Sequence, residues 1–343
     1  MPATTHPEFN DQTEALEVAK AFASSIHGKT ILITGVNPGG IGFATAEAFA
    51  SQSPSHLILA GRTPSKLTAS ITALRTKHPA TTYHALEVDL SNQASVRAAA
   101  TTLLSWPDIP QINILINNAG IMNLPHRTLT AEGIELTFAT NHVGHFLLTC
   151  LIMPKILAAA EAEAEAETEG NTTTTTRGAT RIINVSALSA SIAKMRWSDP
   201  TFAIKNKDLP VSEQPNYDIL RQWGTPDPEE RSYVPVEAYN QSKVANVLFS
   251  IGLTRRLLEK YGVLSLALHP GIIETELARE FSAEQTAALE QMWRVRYGSY
   301  RSLGAGAATS LVAALDPGLA VGVGERREGK ENYGAFLVDC QNV

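Results

Sequence analysis

The chain has 343 residues, of which 44% are apolar and 18% are charged, so it can bury a large core, and a globally disordered protein is excluded. The formal net charge of −6 and the lack of any lysine or arginine run exclude the basic surface that a nucleic acid partner requires. The two cysteines, Cys150 and Cys340, are too few for a disulfide framework and have no metal-ligand spacing, which favours a reducing compartment.

The N-terminal segment MPATTHPEFNDQTEALEVAK has no basic flank and no apolar core, and no stretch of the chain approaches the roughly 18 to 20 apolar residues that span a bilayer. We therefore expect a cytoplasmic protein with no membrane span and no nucleic acid partner. A homo-oligomer is compatible with the sequence.

Predicted strands and helices alternate along most of the chain. The strand-like runs are, in order, TILIT, HLILAG, TTYHALEVD, INILINN, RIINVS and LSLALHPG, and helix-period segments such as SKLTASITALRTK separate them. Crossover helices between successive strands require a mostly parallel sheet that is covered on both faces. The pattern therefore predicts an α/β fold, a doubly wound, mostly parallel sheet with helices on both faces, as a single domain over residues 1–343.

Four segments lie outside this alternation. Residues 1–27 form an N-terminal extension, and residues 161–177 are low in complexity with no apolar face, so we expect a solvated helix extension followed by a disordered loop. Residues 191–236 follow a predicted strand, where ligands bind in open α/β sheets, so we expect them to wall a substrate pocket; a surface excursion is the alternative. Residues 278–300 are a predicted substrate lid. The aromatic residues of the third segment are Trp197, Phe202, Tyr217, Trp223 and Tyr233.

The stretch ILITGVNPGGIGFATA has the outline of a phosphate-binding turn, in which a strand of branched apolar residues ends at Gly35 and a small-residue helix begins near Gly42. Its glycines, which also include Gly39 and Gly40, do not fit the G-x-G-x-x-G pattern, and Pro38 lies among them. These residues alone leave two interpretations open, a cofactor cradle and a glycine-proline loop.

The sequence AYNQSK places Tyr239 and Lys243 four residues apart on one face of a predicted helix. A tyrosine ionises near pH 10, and lowering its pKa to 7 requires about three units. One opposite charge supplies roughly one to three units, so Lys243 and the positive charge of an oxidised nicotinamide can together reach that value. Tyr239 would then exchange a proton with a carbonyl or an alcohol near neutral pH. A surface pair is the alternative.

Seven motifs in a fixed order connect these sites: TGVNPGGIG, VDL at 88–90, NNAG at 117–120, TNHVGHFLLT around Asn141, RIINVS, YNQSK and HPGIIETEL. Their order resembles that of the short-chain dehydrogenase/reductase family from about Gly28 to Gln341. The segments NHVGHFLLT, AATSLVAALDP and FLVDCQ are most similar to its retinol-dehydrogenase-like branch, particularly the soluble fungal members. The resemblance implies a Rossmann-type sheet and an oxidoreductase.

The resemblance also implies roles for particular residues. Tyr239 would be the catalytic acid or base, Lys243 would lower its pKa and bind the nicotinamide ribose, and Asn141 would support a proton relay. The expected cofactor-binding residues are Gly35, Asn37, Gly39, Gly40, Ile41, Gly42, Arg62, Ser65, Lys66, Asp89, Leu90, Asn117, Asn118, Ala119, Gly120, Tyr239, Lys243, Pro270, Gly271, Ile273 and Thr275.

Several residues in these motifs also have purely structural interpretations. Asn141 and Asp89 are able to cap helices, and the Pro270-Gly271 pair is able to turn the chain. His142 and His145 lie one helical turn apart, but no third ligand accompanies them, so we expect packing or hydrogen bonding rather than a metal.

The chain departs from the family pattern in two places. One additional residue precedes Gly40, which leaves open whether Gly39 or Gly40 faces the phosphate. After RIINVS, Ala187 stands where the family has its catalytic serine. In an extended chain Ser189 points to the same side as Ala187, whereas Ser186 is nearer but points away. We expect one of the two serines to bond the substrate oxygen; the alternative is that no serine acts.

The end of the second predicted strand indicates the cofactor. No acidic residue lies between Gly61 and Lys66 to accept the 2′-hydroxyl of NAD. Arg62 instead offers a planar donor fork that suits a 2′-phosphate, with Ser65 and Lys66 beside it. NADP(H) is therefore the expected cofactor, and an ordinary surface arginine is the alternative.

The sequence thus predicts an NADPH-dependent oxidoreductase that acts on a carbonyl or secondary alcohol of an apolar or aromatic small molecule. A tailoring ketoreductase of secondary metabolism would fit the fungal resemblance, and retinoid-like or xenobiotic carbonyls remain open. A dinucleotide-binding scaffold or sensor with little turnover is the second hypothesis, which Ala187 keeps open. The NNAG motif and the short chain beyond Gly271 disfavour the larger epimerase-type relatives.

Overall fold

An eight-stranded sheet forms the centre of the computed structural model, which describes residues 4–168, 177–281, 286–287, 300–327, 330–334 and 336–342. Its strands are β1 (Thr30–Thr34), β2 (His56–Gly61), β3 (Thr82–Glu87), β4 (Ile114–Asn117), β5 (Arg181–Val185), β6 (Leu264–His269), β9 (Phe336–Val338) and β10 (Gln341–Asn342). The strand order is β10-β9-β6-β5-β4-β1-β2-β3, and every neighbouring pair is parallel except β9 with β10. A separate hairpin joins β7 (Arg326–Arg327) and β8 (Lys330–Glu331). The predicted doubly wound, mostly parallel sheet is confirmed.

The helices lie between the strands, as the alternating pattern predicts. The described helices are α1 (Ala15–Ala21), α2 (Ala23–Ile26), α3 (Ile41–Ala50), α4 (Pro64–Lys77), α5 (Gln93–Ser105), α6 (Leu136–Phe138), α7 (Gly144–Leu151), α8 (Met153–Thr168), α9 (Tyr217–Gln222), α10 (Pro235–Tyr261) and α11 (Leu303–Leu315). A π-helical turn, Ala139–Val143, joins α6 to α7. Short 3₁₀ turns cover Leu188–Ser191, Asn206–Asp208, Pro228–Glu230, Glu276–Ala278 and Pro317–Ala320.

Both faces of the sheet are buried because successive side chains of a strand point to opposite sides. On β1, Ile31 and Ile33 belong to one core, which also contains Leu311 of α11. Leu32 points to the other core, which contains Leu253 of α10. A strand that is buried on both faces needs an unbroken apolar run, which is what TILIT and HLILAG provide.

The N-terminal extension packs on the first of these cores. Helix α1 contacts α3 and α11, and its Val18 is fully buried. The side-chain amide of Gln341, in β10, donates hydrogen bonds to the carbonyl oxygens of His6 (3.1 Å) and Phe9 (2.6 Å). The extension is therefore joined to the last strand of the sheet.

The acidic segment and the predicted lid lie partly outside the described residues. Glu161 to Thr168 continue α8, as the predicted helix extension requires, whereas the remainder of the predicted loop, 169–176, lies outside the described residues. Of the predicted lid, 278–300, residues 282–285 and 288–299 also lie outside them.

No single helix in the described ranges is long and apolar enough to cross a bilayer. By length and composition alone, the segments Leu136–Leu151 and Met153–Glu167 pass that test as a pair, which is bent by 58°. Leu148 and Ile156 of this pair are fully buried in the same core as Leu32 and Leu253.

The insertion between β5 and α10 is organised around a buried ion pair. The Arg196 guanidinium contacts the Asp199 carboxylate and donates to the carbonyl oxygen of Ile204 (2.8 Å). Its carbon Cζ lies 4.5 Å from the centre of the Phe202 ring, which is fully buried. Trp197, by contrast, is 68% exposed. Phe202 therefore supports the insertion from inside, and the pocket wall expected of this segment stays a prediction.

Candidate active site

The predicted site residues gather at the carboxyl ends of the parallel strands. The sheet order has β4 and β2 on opposite sides of β1, so the chain reverses its winding direction between β1 and β4. Such a reversal opens a crevice between the loops that leave the two strands. The glycine turn follows β1 and the NNAG segment follows β4, so both border this crevice.

Tyr239 and Lys243 lie on one face of α10, as predicted. Pro235 suits the first turn of this helix, where its missing amide is not needed, and Gly262 ends it with a φ of 72°. The Lys243 ammonium lies 5.4 Å from the centre of the Tyr239 ring and donates a hydrogen bond to the Val185 carbonyl oxygen (2.9 Å). Within the described residues the Tyr239 hydroxyl has no hydrogen-bond partner, so it is available to a ligand.

Burial changes the ionisation of both groups. It raises the pKa of the Tyr239 phenol above its ordinary value and lowers the pKa of the Lys243 ammonium to about 8. The expected lowering of the tyrosine pKa towards 7 required Lys243 together with an oxidised nicotinamide; in the protein alone desolvation shifts the pKa of the phenol upwards. The phenol stays protonated, which is the form that an acid catalyst needs.

Asn141 lies in the π-helical turn and joins α10 to the loop after β4. Its amide group donates to the Ile121 carbonyl oxygen (2.9 Å) and to Ser242 Oγ (3.0 Å), and its Oδ1 accepts from the Ile121 amide (2.8 Å). A Cβ on Gly120 would lie 3.4 Å from Asn141 Oδ1 and 3.7 Å from Lys243 Nζ. Asn141 is therefore not a helix cap; it holds the end of the NNAG segment beside Lys243. Single π-turns of this kind are common at functional sites.

The two candidate serines have different environments. Ser186 is buried, and its hydroxyl donates to the Lys243 carbonyl oxygen (2.8 Å), so this hydroxyl supports α10 rather than facing the crevice. Ala187 is extended, but Leu188 begins a 3₁₀ turn that contains Ser189 and contacts α10. Ser189 is partly exposed, and its hydroxyl makes no hydrogen bond within the described chain. Ser189 therefore remains the candidate for the substrate oxygen.

The glycine-rich stretch forms a turn and then a helix N-terminus. The Gly40 amide donates to the Asn37 carbonyl oxygen (3.0 Å), with Pro38 and a Gly39 of φ 77° between them, which is the signature of a type II turn. The additional residue of this loop is absorbed by that turn. Gly40 then caps α3, and the amides of Ile41 and Gly42 point out of the helix end without partners among the described residues.

The NNAG segment is pinned to the end of β1. The amides of Asn118 and Ala119 both donate to Thr34 Oγ1 (3.0 Å each), and Asn118 Nδ2 donates to the Thr34 carbonyl oxygen (2.9 Å). Asn117 points into the interior, where its amide donates to Asn184 Oδ1 (2.9 Å). Asn117 is therefore a core residue, whereas Asn118, Ala119 and Gly120 border the crevice.

Asp89 and Leu90 follow β3. Asp89 Oδ1 accepts from the Ser91 amide (3.0 Å) and hydroxyl (2.7 Å), while its other oxygen has no partner in the described part of the chain. Asn92, rather than Asp89, caps α5, so the capping alternative for Asp89 is wrong. Leu90 packs closely on Gly144, and a Cβ added to Gly144 would overlap the Leu90 carbonyl oxygen.

The residues predicted to read the cofactor ribose lie at the end of β2. Arg62 and Ser65 are exposed and have no side-chain partners in the described residues. Lys66 Nζ instead forms an exposed ion pair with Glu276 Oε2 (2.9 Å), which lies directly after Thr275. The loop after β6 therefore reaches across the crevice to the start of α4.

The loop after β6 is held in place by Arg301. Gly271 has a φ of 97°, and a Cβ there would lie 2.6 Å from the Arg301 guanidinium. Ile273 pairs with Arg301 in a parallel bridge, and the Thr275 hydroxyl accepts from the Leu277 amide (3.3 Å). Pro270 and Gly271 thus turn the chain, which agrees with the structural interpretation of this pair. The same turn directs Ile273 and Thr275 towards the crevice.

Sequence reasoning missed three residues that organise this site, Thr34, Glu276 and Arg301, and it did not identify the partners of His145. Thr34 and His145 lie inside recognised motifs, but hydrogen bonding between β1 and α7 is not visible in a sequence. His142 and His145 are each hydrogen-bonded, as expected, and no group of three potential metal ligands occurs within the described ranges. In the sequence, the one feature that could have indicated the contact between Glu276 and Lys66 is their opposite charge.

The phenol of Tyr239, the ammonium of Lys243 one helical turn later and the side chain of Asn141 thus lie together beside a glycine-lined crevice. Residues 29–196 match the short chain dehydrogenase family. The chain is 36% identical over 263 residues to Oxidoreductase fscI of Fusarium equiseti, covering 77% of this chain and 94% of that relative. It is 32% identical over 316 residues to human retinol dehydrogenase 12, covering 92% of this chain and 79% of that relative. The chain therefore belongs to the short-chain dehydrogenase family of oxidoreductases, and the predicted resemblance to retinol dehydrogenases is confirmed.

The fold is shared with solved members of the same structural class. The structure of L-sorbose reductase from Gluconobacter frateurii, complexed with NADPH and L-sorbose, matches with a TM-score of 0.58 at 18% identity. The match covers 92% of this chain and 96% of that one. At this identity the likeness supports the sheet topology and nothing finer.

Proposed function

We propose that the protein is an NADPH-dependent oxidoreductase that reduces a carbonyl, or oxidises the matching secondary alcohol, in an apolar or aromatic small molecule. The observation that carries this proposal is the free, protonated phenol of Tyr239 beside Lys243 and Asn141 at the carboxyl edge of the sheet. NADPH is named in the solved L-sorbose reductase that shares this fold.

The crevice fits a dinucleotide. The unpartnered amides at the N-terminus of α3 and the positive end of its dipole suit a pyrophosphate. A Cβ on Gly35 would lie 2.7 Å from Ala119 Cα, and one on Gly42 would lie 2.5 Å from the Gly35 carbonyl oxygen. Only glycine allows β1, α3 and the NNAG segment to meet so closely, and we assign Gly40, at the helix cap, to face the phosphate.

The remaining contacts follow from position. Asp89 offers its free oxygen to the adenine, and Gly120 and Lys243 border the nicotinamide ribose. Ile273 and Thr275 lie on the loop that crosses the crevice and suit the carboxamide. When bound, NADPH supplies a hydride to the substrate carbon and its oxidised form accepts one.

Residues of the chain donate the proton and bind the substrate oxygen. Tyr239 donates its proton to the oxygen as negative charge develops there, because burial keeps the phenol protonated until then. Because burial lowers the pKa of Lys243 to about 8, its ammonium is charged below about pH 8, and it stabilises the phenolate that is left behind. Asn141 keeps the loop at Ile121 in register with α10. Ser189 donates a hydrogen bond to the same substrate oxygen.

Replacing Arg62 with alanine is expected to raise the KM for NADPH by about ten- to a hundredfold, the worth of one or more hydrogen bonds to a charged group, and to leave the KM for NADH unchanged. Arg62 should dominate because Lys66 is already paired with Glu276. Arg75→Ala, at the far end of α4, the helix that begins just after Arg62, is the control and should change neither KM. An equal rise in both KM values for Arg62→Ala would contradict the assignment of the 2′-phosphate.

Ser189→Ala is expected to lower kcat by about ten- to a hundredfold, because the substrate oxygen loses a hydrogen bond as it gains charge. Ser191→Ala, in the same 3₁₀ turn, removes a hydroxyl that already donates to the Leu188 carbonyl oxygen and should leave kcat unchanged. Steady-state kinetics on one reducible ketone compares the two variants. Unchanged turnover in Ser189→Ala would contradict the assignment of Ser189 to the substrate oxygen, and unchanged turnover in Ser186→Ala as well would mean that neither serine acts.

We also propose a substrate class, a metabolic role and a cellular location for the protein. Tyr217, Trp223 and Tyr233 remain to line an apolar or aromatic pocket, and the Tyr233 hydroxyl donates to the Leu124 carbonyl oxygen (3.1 Å) on the loop after NNAG. We infer a tailoring ketoreductase of secondary metabolism from the resemblance of the motifs to those of fungal members, and a relative named an oxidoreductase occurs in the fungus Fusarium equiseti. The free thiols Cys150 and Cys340 support a reducing, cytoplasmic location.

A dinucleotide-binding scaffold with little turnover is the second candidate, favoured by one observation. Ala187, two residues beyond the end of β5, stands where the family has its catalytic serine and is buried. NADPH oxidation against a panel of aromatic ketones and quinones separates the two functions. NADPH binding by calorimetry with no oxidation across the panel would favour the scaffold.

A further inference from the structure

A buried histidine joins the two halves of the active site. His145 lies on α7, four residues after Asn141, and is 1% exposed. Its ring nitrogen Nδ1 lies 2.9 Å from the Asn141 carbonyl oxygen, and Nε2 lies 2.8 Å from Thr34 Oγ1 at the end of β1. No other role for this ring follows from the proposed chemistry.

The partners fix the tautomer of the ring. A carbonyl oxygen only accepts, so Nδ1 carries the proton and donates it to Asn141. Nε2 then bears the lone pair and accepts from the Thr34 hydroxyl. A second acceptor for that hydroxyl, the Ile116 carbonyl oxygen, lies 3.4 Å away, so the shorter contact goes to His145.

The same donor and acceptor roles continue from Thr34 to the NNAG segment, on the cofactor side of the crevice. Once its proton points to His145, Thr34 Oγ1 presents its lone pairs to the amides of Asn118 and Ala119, both at 3.0 Å. One imidazole therefore fixes the main chain of Asn141 and, through Thr34, the NNAG segment.

Burial keeps this arrangement constant at physiological pH. Desolvation, together with the charge of Lys243, lowers the pKa of His145 to about 4, so the ring remains neutral and keeps one donor and one acceptor. A second proton on the ring would turn Nε2 into a donor, so the Thr34 hydroxyl could no longer donate its hydrogen bond to Nε2.

We propose that His145 is a positioning residue that sets the distance between Asn141, on the catalytic side, and the NNAG segment, on the cofactor side. It acts through its two nitrogens separately: Nδ1 supports the catalytic side and Nε2 supports the cofactor side. The inference rests on the proposed oxidoreductase function.

Two conservative variants separate these contacts. In His145→Asn the side-chain amide occupies the place of Nδ1, so the bond to Asn141 is kept and that to Thr34 is lost. In His145→Gln the amide reaches the place of Nε2, so Thr34 keeps its acceptor and Asn141 loses its donor. We expect His145→Asn to raise the KM for NADPH about tenfold at nearly unchanged kcat, and His145→Gln to lower kcat about tenfold at nearly unchanged KM, each change matching one ordinary hydrogen bond.

His142→Asn is the matched control. His142 lies in the adjoining turn, bonds only the Asn246 side chain (3.2 Å) among the described residues and packs on Phe249, so it should affect the melting temperature without splitting kcat from KM. If both His145 variants change kcat and KM together, in proportion to their loss of melting temperature as His142→Asn does, the positioning role is wrong.

A spectroscopic measurement tests the inference without turnover. Nitrogen-15 NMR of histidine-labelled, cofactor-free protein should show His145 as the neutral Nδ1-H tautomer, and an Nε2-H tautomer would overturn the inference. Failure of the proposed oxidoreductase function would appear differently, as a wild-type protein with this tautomer that oxidises no NADPH on any ketone.

Discussion

Tyr239→Phe is expected to lower kcat by about 10²- to 10⁴-fold, the usual contribution of a positioned acid or base, while the Kd for NADPH and the melting temperature stay close to those of the wild type. The phenol has no hydrogen-bond partner among the described residues, so its removal leaves no buried polar group unsatisfied. The ring itself is 8% exposed and packs unchanged in phenylalanine. Single-turnover oxidation of NADPH with a ketone measures the chemical step.

Tyr261→Phe is the control for this experiment. Tyr261 ends the same helix, is 39% exposed and undergoes the same chemical change far from the crevice. It should leave kcat unchanged. A Tyr239→Phe protein that retains more than about a tenth of wild-type turnover would show that another group supplies the proton, and the assignment of Tyr239 as the acid would fail.

The central sheet was predictable because the whole signal lies in local patterns. Runs such as TILIT have consecutive apolar residues at their centre, which fits strands buried on both faces, and the helices between them force parallel pairing. The last two strands, Phe336–Val338 and Gln341–Asn342, were not predicted, because segments of three and two residues are too short to show a period. β9 pairs with β6, which is distant in sequence, and β10 in turn pairs with β9.

The serine question could not be settled from the sequence because it depended on backbone geometry. The parity argument assumed an extended chain from Ser186 to Ser189. The chain stays extended only through Ala187 and then enters a 3₁₀ turn, so side-chain alternation no longer applies. What distinguishes the two serines is the carbonyl oxygen of Lys243, which accepts from Ser186 and lies on a different element.

The electrostatics of the site were predicted in part. Sequence spacing correctly placed Lys243 beside Tyr239, and it indicated attraction between a cation and a phenolate. Spacing carries no information on desolvation, which reverses the direction of the tyrosine pKa shift in the protein alone. The pair of Lys66 with Glu276 was missed for a related reason, since the loop after β6 has to cross the crevice before the two charges meet.

Gly42→Ala is expected to weaken NADPH binding about a hundredfold and to lower the melting temperature. The new Cβ would lie 2.5 Å from the Gly35 carbonyl oxygen and 2.7 Å from Asn118 Nδ2, so α3 has to move away from β1 or the NNAG segment has to shift. Overpacking of this kind costs roughly 1–3 kcal/mol, which corresponds to about 1–4 °C in the melting temperature of a domain of this size. A displacement of about 1 Å at the helix end is sufficient to cost a hundredfold at a bound ligand.

Gly252→Ala separates the effect of position from the effect of the substitution itself. Gly252 lies inside α10, and its Cβ would meet only the flexible end of Arg256, at 3.2 Å. An alanine there has a higher helix propensity, so the melting temperature should stay the same or rise, and the Kd for NADPH should not change. Calorimetric titration and thermal melts compare the two variants. If Gly42→Ala binds NADPH as tightly as Gly252→Ala does, the glycine turn is not the cofactor cradle, because the backbone at its centre would have moved without any consequence for binding.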